Sequence, residues 1–230
     1  MRIGLAYAMS GEISSILEST GAKLLETVCG VPFYEIEENI IAYAGGVGKV
    51  NAAMSAQLFI DRYHPDWIVN AGVAGSFRDL PIGTVVLAKD FVQHDMDTSP
   101  MGDPIGLVST VDRLDFPTDE PERAEAILNG LGVAHEVGRV ATGDVFLVKG
   151  QRADWIAQTF SPTLCEMEGC AVAQVCLRNG VKFTALKSVS DRLCSENNAN
   201  EFFNFASAMA NLNAIVLPFA QALRDGRPCE

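Results

Sequence analysis

Three acids stand where apolar runs of this chain stop. Glu12 follows the run at 2–8 across Met9-Ser10-Gly11, Glu168 follows 162–166, and Asp191 follows 183–189 in LKSVSDR. Burying a carboxylate there is costly unless it is paired or hydrogen-bonded. Each acid has a purely structural reading: Glu12 and Glu168 suit a helix N-terminus through the backbone dipole, and Asp191 suits a cap. Taken together, at the ends of strands of one sheet, they converge on one rim, which is an active-site arrangement. Carboxyls gathered in this way serve as general acid and general base when their surroundings push their pKa values apart. The stretch TLCEMEGCAVAQVC, 163–176, raises the same question again, because Glu166 and Glu168 flank Met167 in a segment otherwise small and apolar.

Two runs of small residues read as strand-to-helix junctions, Gly45-Gly46-Val47-Gly48-Lys49 and Asn70-Ala71-Gly72-Val73-Ala74-Gly75-Ser76. Neither fits the dinucleotide fingerprint or the P-loop. They are either tight turns or places where the backbone approaches a ligand closely at the C-terminal ends of strands. His94 lies in a loop beside Asp95 and Asp97, where hydrogen bonding that fixes the loop is expected rather than a metal. The six cysteines (Cys29, Cys165, Cys170, Cys176, Cys194 and Cys229) show no zinc spacing and read as reduced, mostly buried thiols in a cytoplasm. No metal and no cofactor is expected.

The elements that must position these residues alternate in type. Strands are predicted at 2–8, 31–37, 39–45, 67–72, 84–90, 136–145, 162–166 and 183–189, and helices at 11–19, 49–63, 120–131, 151–158, 168–179 and 201–223. The segments WIVNAG and FTALKSV are apolar without strict alternation, as strands covered on both faces are. Residues 31–45 read as a hairpin turning at Glu38 and Asn39. Residues 94–119, rich in Pro, Gly and Asp, read as a long functional or contact loop. With 230 residues and 48% hydrophobic content, the chain predicts one α/β domain over 1–230, a three-layer α/β/α fold with a central mixed β-sheet. A net charge of −12 without clustered Lys and Arg argues against nucleic acid. No unbroken apolar run reaches bilayer length, so no membrane partner is expected, and the first apolar segment reads as a buried strand rather than a signal.

Seven motifs occur in order: MxxE at Met9–Glu12, GGVGKVNAA, NAGVAG, HDMD, TGDVF, EMEG and SVSD. Together they resemble the bacterial 5'-methylthioadenosine/S-adenosylhomocysteine nucleosidases of the nucleoside phosphorylase superfamily, from Met1 to about Leu223. The resemblance implies a nucleoside phosphorylase-like fold, a homodimer, and hydrolysis of the N-glycosidic bond of an adenine nucleoside through an oxocarbenium-like transition state. It implies Glu12 as the base that activates water and Asp191, after Ser190, as the acid at adenine N7. Glu168 would bind the ribose 2'- and 3'-hydroxyls, Met167 would pack on the ribose, Phe146 would stack on adenine, and the Leu147 backbone would read the base edge. Met9, Val73, Ser190 and Glu166 complete the expected substrate-binding set, Glu166 as a partner behind the other acids. Loop 94–105 would join the dimer contact, with Thr98 to Met101 near the partner's 5'-pocket and Met101 offering a soft surface to a thioether. Phe202 or Phe203 would close that pocket or simply pack in the core.

The logic parallels glycoside hydrolysis, where carboxyls flank a cationic transition state. A carboxylate at Glu12 repels phosphate and suits water, which favours a hydrolase over a phosphorylase. Two positions depart from the family: Val73 stands where Ser is common, and Lys187 where Arg is common. The 5'-group therefore stays open among methylthioadenosine, S-adenosylhomocysteine, 5'-deoxyadenosine and aminodeoxyfutalosine. A purine nucleoside phosphorylase and an inactive nucleoside-binding relative are the alternatives.

Overall fold

The structure, a computed structural model, describes residues 1–193 and 204–226. In chain order the first half contains β1 (Ile3–Tyr7), α1 (Ser10–Thr20), β2 (Lys23–Val28), β3 (Val31–Glu37), β4 (Ile40–Ala44), α2 (Lys49–Tyr63), β5 (Trp67–Ser76) and β6 (Val85–Gln93). The second half contains β7 (Phe116–Pro117), α3 (Pro121–Gly130), β8 (His135–Thr142), α4 (Gln151–Phe160), β9 (Leu164–Glu166), α5 (Gly169–Asn179), β10 (Lys182–Arg192) and α6 (Phe205–Asp225).

The ten strands among the described residues join one mixed sheet; the mixed sheet is as expected, with eight strands predicted for it. Its curvature was not anticipated. β5 pairs with β10, β10 with β6, β6 with β8, β8 with β9, and β9 returns to β5, so one end of the sheet closes on itself. From β5 the wing β1–β4–β3–β2 extends away, with β2 at its edge, and β7 is a short addition to β6. β1, β5 and β10 are parallel neighbours through their registers, so their C-terminal ends emerge on the same rim. That is where the acids are.

Helices cover both faces. α2 and α5 bury Ala56, Phe59, Val172 and Cys176 against Phe33, Tyr43 and Phe183. α1, α3 and α6 bury Ile13, Ile127, Leu212 and Phe219 against Leu5, Trp67 and Leu186 on the other face. A third cluster packs Ala153 and Ile156 of α4 against Val92, Ala141, Leu147 and Cys165 at the closed end. At 21 residues with a mean hydropathy of 1.3, α6 is long and apolar enough to cross a membrane by length and composition. Here its Met209, Leu212, Val216, Phe219 and Leu223 are buried in the core.

Several boundaries differ from the sequence reading, and the short β7, inside the predicted loop 94–119, was not foreseen. β5 runs on to Ser76, so Asn70–Ser76 lies inside a strand and is no junction, whereas Gly45–Lys49 does connect β4 to α2. β10 continues to Arg192, so Asp191 is a strand residue, placed at a register shift between Val189 and Asp191 against β5. β2 was not foreseen. It is an edge strand with most of its residues exposed, so it carries no apolar run to announce it. The hairpin is as expected, with Asn39 at φ 64° in its turn. The predicted helix start at 201 lies outside the described residues.

Candidate active site

A cavity of about 300 Å³ opens at this rim. Its walls include Glu12, Glu168 and Asp191, with Met9, Val73, Phe146, Leu147, Glu166, Met167 and Ser190. Residues separated by most of the chain thus meet around one space.

Glu12 sits in the first turn of α1, just after β1 ends. Its Oε2 accepts from the backbone N–H of Ala8 at 3.0 Å and Met9 at 2.9 Å, and its Oε1 accepts from Val73 N–H at 3.1 Å. Backbone N–H groups only donate, so both oxygens are held as acceptors, the form a carboxylate takes. Burial pushes its pKa up, while those N–H groups and the Lys187 charge pull it back. Room for it comes from β5: a Cβ at Gly72 would lie 2.6 Å from Oε1.

Asp191 has the opposite surroundings. The register shift skips Ser190 and turns Asp191 toward the cavity, as bulges commonly re-aim a side chain. Ser190 Oγ donates to Oδ1 at 2.7 Å, and Oδ2 accepts no hydrogen bond from the described residues. Burial raises its pKa, opposed by the Ser190 hydroxyl. One oxygen is thus free to carry a proton. Oδ2 faces Gly75, where a Cβ would come within 2.9 Å. The glycines of NAGVAG therefore make space for two acids rather than a turn.

Glu168 precedes α5. Its Oε1 accepts from Gly48 N–H at 2.8 Å and its Oε2 from Met167 N–H at 3.2 Å, which leaves each oxygen a lone pair. Burial first, and the Glu166 charge second, push its pKa up to about 7. Glu166 lines the same cavity and takes four hydrogen bonds from protein. Oε1 accepts from Thr142 Oγ1, and Oε2 accepts from Lys187 Nζ at 3.0 Å, Glu168 N–H at 3.2 Å and Gly169 N–H at 2.7 Å. Its Oε2 is filled by these three donors, while Oε1 keeps one lone pair.

Phe146 forms an exposed wall, 60% accessible, and Leu147 a buried one. Cys165 also lines the cavity, and burial pushes its thiol pKa well up, so it stays neutral. Met101 is 84% exposed and is not among the cavity residues of this chain. Phe202 and Phe203 lie outside the described residues. Cys29, Cys165, Cys170 and Cys176 are free thiols, the last three buried.

The expectation for His94 is corrected. Both its ring nitrogens are buried without a hydrogen-bond partner, and the ring instead packs on Gly143, where a Cβ would come within 2.3 Å. Burial lowers its pKa, so it stays a neutral packing residue. The loop is fixed by its neighbour. Asp95 accepts from Lys49 Nζ at 2.6 Å and from Asp144 N–H at 2.9 Å, and Asp144 Oδ1 accepts from Lys49 N–H at 2.7 Å. This circuit ties the loop carrying Phe146 to the start of α2, whose Gly48 holds Glu168. Lys49 and Asp144 were missed as functional candidates, although both stand inside motifs already singled out, GGVGK and TGDVF. Among the described residues no group of three or more His, Cys, Asp or Glu is placed to hold a metal ion.

Comparison with known proteins bears on this geometry. The family model described as the phosphorylase superfamily matches residues 2–221. The 5'-methylthioadenosine/S-adenosylhomocysteine nucleosidase of Shewanella halifaxensis is 34% identical over 199 residues, covering 83% of this chain and 86% of that protein. The crystal structure of the Helicobacter pylori enzyme of the same name, with butyl-thio-DADMe-Immucillin-A, superposes with a TM-score of 0.86 at 29% identity, over 99% of both chains. The futalosine hydrolase of Helicobacter pylori strain 26695 superposes with a TM-score of 0.81 at 30% identity, over 97% of this chain and 96% of that one.

Proposed function

The chain belongs to the 5'-methylthioadenosine/S-adenosylhomocysteine nucleosidase family of the phosphorylase superfamily, and from that premise we propose that it hydrolyses 5'-methylthioadenosine and S-adenosylhomocysteine to adenine and the matching thioribose. One observation carries the reading: Glu12 and Asp191 share a cavity but have opposite hydrogen-bond surroundings, acceptor-only for Glu12 and proton-ready for Asp191.

The roles follow from that asymmetry. Adenine stacks on Phe146, with the Leu147 backbone along its edge and Met167 under the ribose. Glu168 receives the 2'- and 3'-hydroxyls on its remaining lone pairs, and these two donors help offset its burial. Asp191 gives its proton to N7, which lets adenine depart with the electron pair of the C1'–N9 bond. The ribosyl cation is met by water, whose proton passes to Glu12 as the new C1'–O bond forms. Adenine, the 1-hydroxy sugar and the transferred protons balance.

Water rather than phosphate is the acceptor in this proposal. Glu12 occupies the position an anion would need, no arginine among the described residues lines the cavity, and the nearby Lys187 is already bonded to Glu166. The protein works as a homodimer in which loop 94–105 reaches the partner's 5'-pocket. The high exposure of Met101 supports that placement. The fold's likeness to futalosine hydrolase makes aminodeoxyfutalosine the second candidate substrate.

The test is adenine release from a panel of 5'-substituted adenosines, with and without phosphate, identifying the sugar product. Free thioribose in phosphate-free buffer is the expected product. Ribose 1-phosphate would transfer the protein to the phosphorylases, preference for aminodeoxyfutalosine would change the substrate, and no release from any substrate by folded protein would leave a binding function.

A further inference from the structure

Lys187 is a buried cation that the reaction just described does not use. It lies on β10, is 2% exposed, and is not part of the cavity wall. Its Nζ donates to Glu166 Oε2 at 3.0 Å, both side chains being 3% exposed. Breaking such a pair leaves an uncompensated buried charge, whereas replacing both members by uncharged residues of similar size is often tolerated. A pair of this kind calls for a role other than stability.

The arrangement around it supplies one. Glu166 is held at both oxygens, by Thr142 Oγ1 on Oε1 and by the N–H groups of Glu168 and Gly169 beside Lys187 on Oε2. The Thr142 hydroxyl is itself fixed, accepting from Cys170 N–H at 3.0 Å. Glu166 therefore holds the ammonium in one place. The same Oε2 that takes the ammonium also accepts from Glu168 N–H at 3.2 Å, so one carboxylate oxygen separates Lys187 from the start of α5, and the ammonium pulls the pKa of both Glu168 and Glu12 downward. The charged groups facing Glu168 are Glu166 from β9, Lys187 from β10 and Glu12 from α1, with the Gly48 and Met167 N–H groups as its hydrogen-bond donors. Lys187 is the single cation in that set of three acids.

We propose that Lys187, anchored by Glu166, is a positioning residue: its ammonium is the counter-charge that lets Glu168 meet a ribose diol as a carboxylate, and the pair thereby sets the pH range of nucleoside binding. The inference rests on the reading of Glu168 as the diol ligand. An ionised Glu168 offers acceptors to both hydroxyls, whereas a protonated one gives up an acceptor. Glu166 and Lys187 push Glu168 in opposite directions, so removing each should move the binding midpoint with opposite sign.

The experiment measures the affinity of 9-deazaadenosine, whose glycosidic bond is carbon–carbon, against that of its 2',3'-dideoxy counterpart from pH 5.5 to 9.5. The ratio isolates the diol. In the wild type the diol preference should rise through a midpoint near 7. In Lys187→Met the midpoint should rise by about one unit, weakening diol-dependent binding about fivefold at pH 7 and restoring it near pH 9. Lys187→Arg should keep the wild-type midpoint. Glu166→Gln should move it downward, and Lys187→Met/Glu166→Gln should bring it back to the wild-type value or below. The opposite sign of the Glu166→Gln shift keeps the proposal testable should Lys187→Met not fold. Unmoved midpoints in Lys187→Met or Glu166→Gln, with Glu168→Gln abolishing the diol preference, overturn the role of Lys187 alone. A diol preference indifferent to Glu168→Gln overturns the reading of Glu168, and the proposal with it.

Discussion

Gly72→Ala puts the base assignment to a sharp test, because the perturbation is one methyl group aimed at one oxygen. A Cβ at Gly72 would stand 2.6 Å from Glu12 Oε1, where ordinary contact begins at 3.4 Å. The carboxylate must therefore retreat by about 0.8 Å, the difference between those distances, since the β5 backbone at Gly72 is held by its pairing with Lys187 of β10. The retreat lengthens or breaks the 3.1 Å bond from Val73 N–H. One charge-assisted hydrogen bond is worth roughly 1.5–3 kcal/mol, well within the stability of a typical domain. The chemistry is less forgiving. A displacement near 1 Å at a reacting group costs about 100-fold in rate, or roughly 2.7 kcal/mol of barrier. Adenine release should thus fall about 100-fold in kcat, with KM within about threefold because Glu168, Met167 and Phe146 are untouched, a pattern that marks loss of a transition-state interaction. Steady-state kinetics and a thermal melt on the same preparation suffice. A folded Gly72→Ala protein with kcat near the wild-type value would show that Glu12 does not have to sit where the structure holds it, and the assignment would fall.

Asp191→Asn should lose about 10²–10⁴-fold in kcat while nucleoside affinity, measured by calorimetry, changes severalfold at most; unchanged turnover would remove Asp191 from the reaction. Glu168→Gln should separate stability from function: a carboxyl raised from 4.5 to about 7 in the fold contributes stability that is complete below 4.5 and is lost as pH rises through 7. The wild type should therefore give up on the order of 2–3 kcal/mol between pH 4.5 and 8.5 that Glu168→Gln keeps, read as a smaller fall in Tm across that range, while the variant binds nucleoside poorly. Met101→Asp should shift light-scattering mass toward the monomer and raise KM for methylthioadenosine; a dimer with wild-type KM would place loop 94–105 away from the 5'-pocket.

What the sequence disclosed, and what it concealed, follows from how each residue is held. The strands of the sheet interior announced themselves, because Trp67–Val69 and Phe183–Leu186 are buried on both faces and read as apolar runs. β2 did not, since an edge strand with exposed Leu24 and Leu25 beside Lys23 and Glu26 has no such pattern. The acids were legible as interruptions of apolar runs, and they do share one cavity. Their exact settings were not. NAGVAG looks like a turn because glycine most often serves backbone freedom, yet Gly72 and Gly75 lie in a regular strand and serve side chains that approach it. Asp191 looked like a residue after a strand because a one-residue register shift leaves no signature in composition. His94 drew attention as an isolated titratable group, but its burial against Gly143 is a packing relation between distant segments, invisible to spacing.

The same point explains how so acidic a cavity can exist. The acids are not tolerated because the site is wet; Glu12, Glu166 and Glu168 are all buried. They are tolerated because the chain brings backbone N–H groups to them, most of them at element ends and one from within a strand: Ala8 and Met9 after β1, Gly48 before α2, Glu168 and Gly169 at the start of α5, and Val73 of β5 beyond the end of its pairing with β1. Element ends leave such donors unsatisfied, and a carboxylate satisfies them. Asp191 differs because no backbone N–H of the described residues reaches its carboxyl, and the Ser190 hydroxyl is the one donor those residues give it. Which acids backbone donors reach therefore decides which carboxyl is held as an acceptor and which can keep a proton, and on that asymmetry the proposed base and acid roles rest.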